Sequence, residues 1–82
     1  MSKGWKRINA EELETTIEGV RLRLVNLTRE IGRRHWNLGV VVDDKVEWVE
    51  SGSTRAEAEA WVERTVQAEL ERRRDLAYFE TA

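Results

Sequence analysis

The hydrophobic pattern of this chain changes its period once, at the segment SGSTRAEAEAW, residues 51–61. Before this segment, apolar residues fall mainly on alternate positions, which is the spacing of a β-strand with one buried face. After it, they recur at the spacing of an amphipathic helix. We therefore expect an antiparallel sheet followed by one C-terminal helix.

The first half of the sheet is predicted from two local signals. Residues 14–27 alternate around the turn pair Glu18-Gly19, which predicts a β-hairpin. Upstream of it, Asn9 followed by Glu12 resembles a helix N-cap with its reciprocal carboxylate, and this predicts a single helical turn at residues 10–13.

The second half of the sheet is predicted to be another hairpin. Residues 28–35 carry a glycine and several charges, which indicates a loop. Alternation resumes in residues 36–42, and residues 45–50 are expected to return antiparallel after a tight turn at Asp43-Asp44.

The helix is expected to begin just after Thr54. Thr54 and Glu57 have the spacing of a capping box, in which the hydroxyl accepts from the Glu57 amide and the carboxylate accepts from the Thr54 amide. The apolar stripe that follows consists of Ala58, Trp61, Val62, Thr65, Val66 and Leu70. The helix is predicted to span residues 55–77, and its charged part, residues 67–75, is expected to run past the sheet.

Four tryptophans are the largest side chains available for a core. Trp36, Trp48 and Trp61 fall on the alternating or helical positions, so we expect them at the centre of the core rather than on a base-stacking surface. Trp5 lies outside every periodic segment, and two positions stay open for it. It either packs under the edge of the sheet or belongs to a contact surface.

These segments form a single α+β domain over residues 1–82: an antiparallel meander of three or four strands with a C-terminal helix on one face. The chain contains no cysteine, so hydrophobic packing rather than disulfides must hold this fold. No apolar run approaches the ~20 residues of a membrane span, and the N-terminal residues are charged rather than apolar. We expect a cytoplasmic protein without membrane contact.

Catalytic groups are scarce in this sequence. It has no cysteine nucleophile, and Ser51 and Ser53 lie at the strand-to-helix junction without a histidine motif nearby. His35 is the only histidine and has no neighbour at metal-ligand spacing. We expect no enzymatic activity, no catalytic residues, no cofactor, no metal and no small-molecule ligand.

Basic residues define one candidate surface. Arg21 and Arg23 are expected to project from the sheet face opposite the helix, where arginine could pair with guanine edges. The candidate nucleic-acid contacts are Arg21, Arg23, Arg33, Arg34, Asn37 and Lys45. Four residues are expected to share or border that face, and the carboxylates among them would repel phosphates: Glu14, Thr16, Glu18 and Glu47. A solvated, ion-paired face is therefore the preferred interpretation.

The end of the helix defines a second candidate surface. Apolar character returns after the charged segment, and aromatic groups at an exposed terminus are typical of interfaces. The candidate protein interface consists of Trp5, Arg72, Leu76, Tyr78 and Phe79. Its partner would be another protein, which includes a second copy of this chain, while packing of Tyr78 and Phe79 against their own domain is the alternative.

The segment RRHWNLGVVVDDKVEWVESGSTRAEAEAW, residues 33–61, resembles the strand-strand-helix unit of the arm-type DNA-binding domains of tyrosine recombinases and of AP2-like domains. This resemblance implies sheet-mediated DNA binding. Such domains are usually basic, whereas this chain has a net charge of −2.

The cysteine-free composition, rich in Arg, Glu and Trp, is also similar to small accessory proteins of actinobacterial phages and prophages. This second resemblance implies a non-enzymatic protein that acts by protein–protein binding, in host takeover, anti-defence or the virion. It would lie in the bacterial cytoplasm or be associated with the virion. Binding to DNA through the sheet remains the alternative function.

Overall fold

The computed structural model describes residues 4–81, and the side chains of residues 4–77. Five strands form one antiparallel sheet in which their spatial order is their chain order. The elements are β1 (Lys6–Arg7), β2 (Glu12–Ile17), β3 (Val20–Asn26), α1 (Thr28–Ile31), β4 (Trp36–Val42), β5 (Lys45–Gly52), α2 (Arg55–Glu59) and α3 (Val62–Thr81). The α+β meander is confirmed, with five strands where the sequence predicted three or four.

The additional strand is β1, which pairs with β2 through Lys6 opposite Glu14 and Arg7 opposite Leu13. A strand of two residues is too short to show alternation, so the sequence pattern could not reveal it. The helical turn expected after Asn9 is wrong, because the Asn9 side chain instead accepts from the amides of Glu11 at 2.9 Å and Glu12 at 3.0 Å. The same capping chemistry here turns the chain between two strands.

Both predicted hairpin turns are confirmed. Glu18 and Gly19 have φ angles of 51° and 79°, and Asp43 and Asp44 have φ angles of 50° and 65°. Two consecutive positive φ angles are typical of the turns that match the twist of paired strands. Aspartate tolerates this conformation better than most residues, so Asp43-Asp44 forms the turn without glycine.

The core lies between one face of the sheet and the helices. Its fully buried side chains come from β3, β4 and the helical stripe: Val20, Leu22, Leu24, Leu38, Ala58, Val62 and Val66. Trp5, Trp36 and Trp61 are partly buried and pack against this cluster. The predicted stripe is therefore confirmed, and Trp5 packs against the core, as in the first of its two expected positions. The expected central position of Trp36 and Trp61 is wrong, because both border the core instead of forming its centre.

The expected core position of Trp48 is wrong, since this side chain is 48% exposed. Residues directly opposite each other in an antiparallel pair point to the same face of the sheet. Lys45 is opposite Val42, on the helix side, whereas Trp48 is opposite Gly39, on the face away from the helix. β5 thus presents its alternating apolar residues to the sheet face away from the helix.

The C-terminal helix forms two segments instead of one. The amide of Trp61 donates to the Ala58 carbonyl at 3.2 Å, and this tighter turn separates α2 from α3. The Thr54 hydroxyl accepts from the Glu57 amide at 3.2 Å, as predicted. The Glu57 carboxylate, however, accepts from the Ser53 amide at 2.9 Å rather than from that of Thr54.

Candidate protein-binding strand and groove

Strand β5 forms an edge of the sheet, because its only neighbour among the described strands is β4. The backbone groups along its outer side therefore have no partner within this sheet. Trp48 and Val49 lie in this strand and are 48% and 43% exposed. An open strand edge and large apolar side chains thus occur at the same place.

Val49 is exposed because β5 contains a bulge. Glu50 lies opposite Leu38 and Trp48 lies opposite Gly39, so Val49 is an extra residue without a partner of its own on β4. Its side chain borders two depressions, one shared with α3 and one shared with Trp48. The bulge thus makes Val49 accessible from both faces of the sheet.

Gly39 makes room for the Trp48 ring. A Cβ atom at residue 39 would lie 2.8 Å from Cε3 of Trp48 and 2.6 Å from Cγ1 of Val46. Atoms this close cannot coexist without a shift, so only glycine lets the indole lie against the β4 backbone. The exposed tryptophan is thereby held against the sheet.

A groove of about 340 Å³ lies between β5 and α3. The residues that line it come mainly from β5 and α3 and combine apolar side chains with charges of both signs: Val40, Glu47, Val49, Glu50, Trp61, Arg64, Thr65, Ala68, Glu69 and Arg72. The Arg64 guanidinium lies 4.8 Å from the centre of the Trp61 ring, a cation–π contact. The charged residues that β5 contributes are acidic, whereas α3 contributes Arg64 and Arg72 together with the carboxylate of Glu69.

An ion cluster at Glu69 fixes one end of this groove. Glu69 is only 7% exposed, and its carboxylate accepts from Arg72 Nε at 3.0 Å and from Arg73 Nε at 3.3 Å. The Arg72 hydrogen bonds, with those of Arg73, outweigh burial and lower the pKa of Glu69. Arg73 also donates to the Gly19 carbonyl at 3.1 Å, which ties α3 to the β2–β3 turn.

Arg72, one of the predicted interface residues, is the main partner of Glu69. Hydrogen bonds to Glu69, followed by the charge of Glu69 and more weakly that of Glu47, raise the pKa of Arg72. Arg72 therefore lies in the groove rim with its guanidinium already bound. Its place in an interface stays a prediction.

The remaining predicted interface residues do not form one described surface. Leu76 is 48% exposed and lies in α3 beyond Arg73, the last residue of the ion cluster at Glu69. Trp5 packs against the core and its indole Nε1 is buried. Tyr78 and Phe79 lie in α3, but their side chains are outside the described residues.

The predicted arginine face exists, and its arginines are paired. Arg21 donates to Glu14 at 2.9 Å, and Arg23 reaches the same carboxylate at 3.2 Å and that of Glu12 at 3.6 Å. Burial raises the pKa of Glu14, but the hydrogen bonds and charges of Arg21 and Arg23 lower it overall. This part of the sheet is an alternating ladder of opposite charges.

Other predicted nucleic-acid contacts are dispersed. Asn37 lies on the same face and contacts His35 at 2.9 Å, while Arg33 and Arg34 are exposed in the connection before β4. The expectation for Lys45 is wrong, because its pairing with Val42 places it on the helix side. For the same reason Glu47, opposite Val40, does not border the arginine face.

Sequence patterns missed the groove and the exposed strand. One signal could have revealed the exposed position of Trp48. A turn of two residues pairs the residues on either side of it, so Lys45 points to the same core-side face as Val42. Because side chains alternate along a strand, Trp48 must then point to the opposite face. The bulge at Val49 has no comparable signal in the residue pattern.

Neither a protein-family model, nor a curated protein, nor a solved structure matches this chain. Within the described residues, no group of three or more His, Cys, Asp or Glu side chains is placed to hold a metal ion. None of the described helices is long and apolar enough to cross a membrane. The geometry of β5 and the groove is therefore the basis for a functional proposal.

Proposed function

We propose that this protein acts by binding another protein along β5, with Trp48 and Val49 as the anchoring side chains. The observation that carries this proposal is the coincidence of an open strand edge with two exposed apolar residues. A partner strand can satisfy the edge backbone groups, while neighbouring depressions receive its side chains.

The groove beside β5 supports this function. Large anchors on a rigid base are typical of the energetic centres of interfaces, and Trp48 rests on Gly39 in this way. The rim adds charges of both signs, with Glu47 and Glu50 on the strand and Arg64 on the helix. Polar rims around an apolar centre are typical of protein–protein interfaces.

Binding to DNA through the arginine face is the alternative function, and it has less support. Arg21 and Arg23 already share the carboxylates of Glu12 and Glu14. Phosphates would have to compete with these partners and would meet their negative charge. A role in host takeover, in anti-defence or in a virion is part of the protein-binding proposal and rests only on the resemblance to phage accessory proteins.

A retention experiment tests the proposal. The wild-type chain and the double variant Trp48→Ser with Val49→Ser are immobilised, and each is incubated with lysate of cells that encode the chain, supplemented with a tagged second copy. The matched control is Ile31→Ser with Ile8→Ser, because Ile31 and Ile8 are exposed to a similar extent, 44% and 46%, and lie outside β5.

We expect the wild-type and control chains to retain the same protein, either foreign or the tagged copy, and the β5 variant to lose it. Equal retention by all three chains, or by none, would contradict the proposal. Urea unfolding of each variant shows that the compared chains are folded.

A further inference from the structure

We propose that the partner at β5 is a second copy of this chain, paired antiparallel with Val46 opposite the Val46 of the other copy. This inference rests on the proposed function, since it names the occupant of the same strand edge. Two identical strands that pair antiparallel are related by a two-fold axis perpendicular to the sheet.

The two-fold axis restricts the registers that are possible. Residues directly opposite each other must point to the same face of the sheet. One residue of β5 must therefore lie opposite its own counterpart in the other copy, with the axis midway between the two. An axis at Glu47 would place two glutamates against each other, and an axis at Trp48 would place the bulged Val49 within the paired segment. An axis at Val46 avoids both problems.

Charge complementarity favours the Val46 register. Lys45 and Glu47 both lie on the helix side of the sheet, because they are opposite Val42 and Val40. With Val46 on the axis, Lys45 of each copy is opposite Glu47 of the other, which gives two cross-strand ion pairs. Both side chains are exposed in the single chain.

The same register covers the exposed tryptophan. Trp48 and Val46 share the face away from the helix, since they are opposite Gly39 and Val41. Across the axis, Trp48 of one copy is the diagonal neighbour of Val46 of the other, a distance that aromatic side chains span. The bulge at Val49 then ends the pairing, so the interface is short and the dimer dissociates on dilution.

Disulfide trapping tests the register. The chain has no cysteine, so Val46→Cys introduces a single thiol, which the proposed axis brings close to its own copy. Opposite residues in such a pair have Cα atoms about 4.5 to 5.5 Å apart, within the range of a disulfide. Ser51→Cys is the matched control, because Ser51 is exposed on the same face of β5 but beyond the bulge.

Under mild oxidation we expect Val46→Cys to form a covalent dimer faster than Ser51→Cys by on the order of tenfold or more, because pairing raises the local thiol concentration. Equal rates for the two variants would overturn the register.

A charge exchange separates the ion pairs from other effects of Glu47. Glu47→Lys places like charges opposite each other and also affects Arg72, whose pKa Glu47 helps to raise. Adding Lys45→Glu restores the cross-strand ion pairs, but residue 47 remains lysine, so any effect of that lysine on Arg72 persists. A recovered dimer must therefore come from pairing between the copies. Association is measured by sedimentation equilibrium of the full chain.

We expect the wild-type chain to dimerise at high micromolar concentration, Glu47→Lys to weaken the dimer roughly tenfold, and the charge exchange to recover it. A wild-type chain that stays monomeric near millimolar concentration, or a charge exchange without rescue, would overturn the inference. If the chain is monomeric but Trp48 and Val49 are still needed to retain a foreign protein, the proposed function stands and only the identity of the partner is wrong.

Discussion

The indole of Trp48 lies against the backbone of Gly39, its direct partner across β4 and β5, with 2.8 Å between Cε3 and the position that a Cβ atom at residue 39 would take. This contact holds a large aromatic side chain on the sheet face away from the helix. Because Trp48 is 48% exposed there, it is available to a partner while its position is fixed.

Replacing Gly39 by alanine is expected to destabilise the fold by about 1 to 3 kcal/mol, because the added methyl overlaps Val46 and Trp48. In an unobstructed strand the same change would be neutral or stabilising, since glycine weakens strands. The free energy of unfolding in urea measures the effect. Unchanged or increased stability would show that the indole does not rest on Gly39.

Trp48→Ala is expected to lower the free energy of unfolding by about 1 to 2 kcal/mol, since only half of the side chain is covered. Leu24→Ala is the comparison, because Leu24 is fully buried and its loss should cost about 3 to 5 kcal/mol. Denaturant melts of both variants decide the order. If Trp48→Ala were as damaging as Leu24→Ala, Trp48 would be a core residue after all.

The strands of the central meander could be predicted because their turns and alternation agree. Ile17 and Val20 flank a turn of two residues and are both apolar, so pairing them places both on the core side. At the next such turn the pattern conflicts with the pairing. Val42 is apolar, but its partner Lys45 is not. The rule that the apolar residues of an alternating strand point to the core therefore fails in β5.

The candidate site was less predictable than the fold, because it depends on contacts between elements. The groove needs Trp61, at the junction of α2 and α3, and Val49, on β5, to come together, and no local pattern links them. The ion pairs of Arg21 and Arg23 were partly foreseeable, since Glu14 was expected on their face.

Acid is expected to weaken the attachment of α3 through Glu69. The pKa of Glu69 is lowered in the folded chain, mainly by the hydrogen bonds from Arg72. Its stabilising contribution is therefore complete at pH values above the pKa of glutamate in the unfolded chain, about 4.3. This contribution is lost as the pH falls through the lowered pKa of Glu69 in the folded chain. Glu69→Gln should make the fall in unfolding free energy below about pH 4.5 shallower.

Urea melts at a series of pH values measure this slope, and Glu71→Gln, on the exposed side of the same helix turn, is the matched control. An unchanged slope for Glu69→Gln would mean that Glu69 does not contribute to the acid sensitivity of folding.

Duplex DNA is expected not to bind at physiological salt, because Glu12 and Glu14 occupy the arginines of the sheet face. Removing their charge with Glu12→Gln and Glu14→Gln should produce weak binding whose logarithm falls with log salt at about −0.9 per phosphate neutralised. Fluorescence anisotropy with a labelled duplex measures both. Sub-micromolar binding by the wild-type chain that Arg21→Ala with Arg23→Ala abolishes would favour the DNA-binding alternative.

The central claim is that β5, and not the opposite edge at β1, is the association surface. Hydrogen exchange of the backbone amides, measured at low micromolar and at near-millimolar protein concentration, tests it most directly, because outward-pointing amides of an edge strand exchange readily unless another strand pairs with them. We expect exchange in residues 45–48 to slow at the higher concentration, while exchange in Lys6–Arg7 stays the same. Equal exchange in β5 at both concentrations, or the same slowing at β1, would contradict the account.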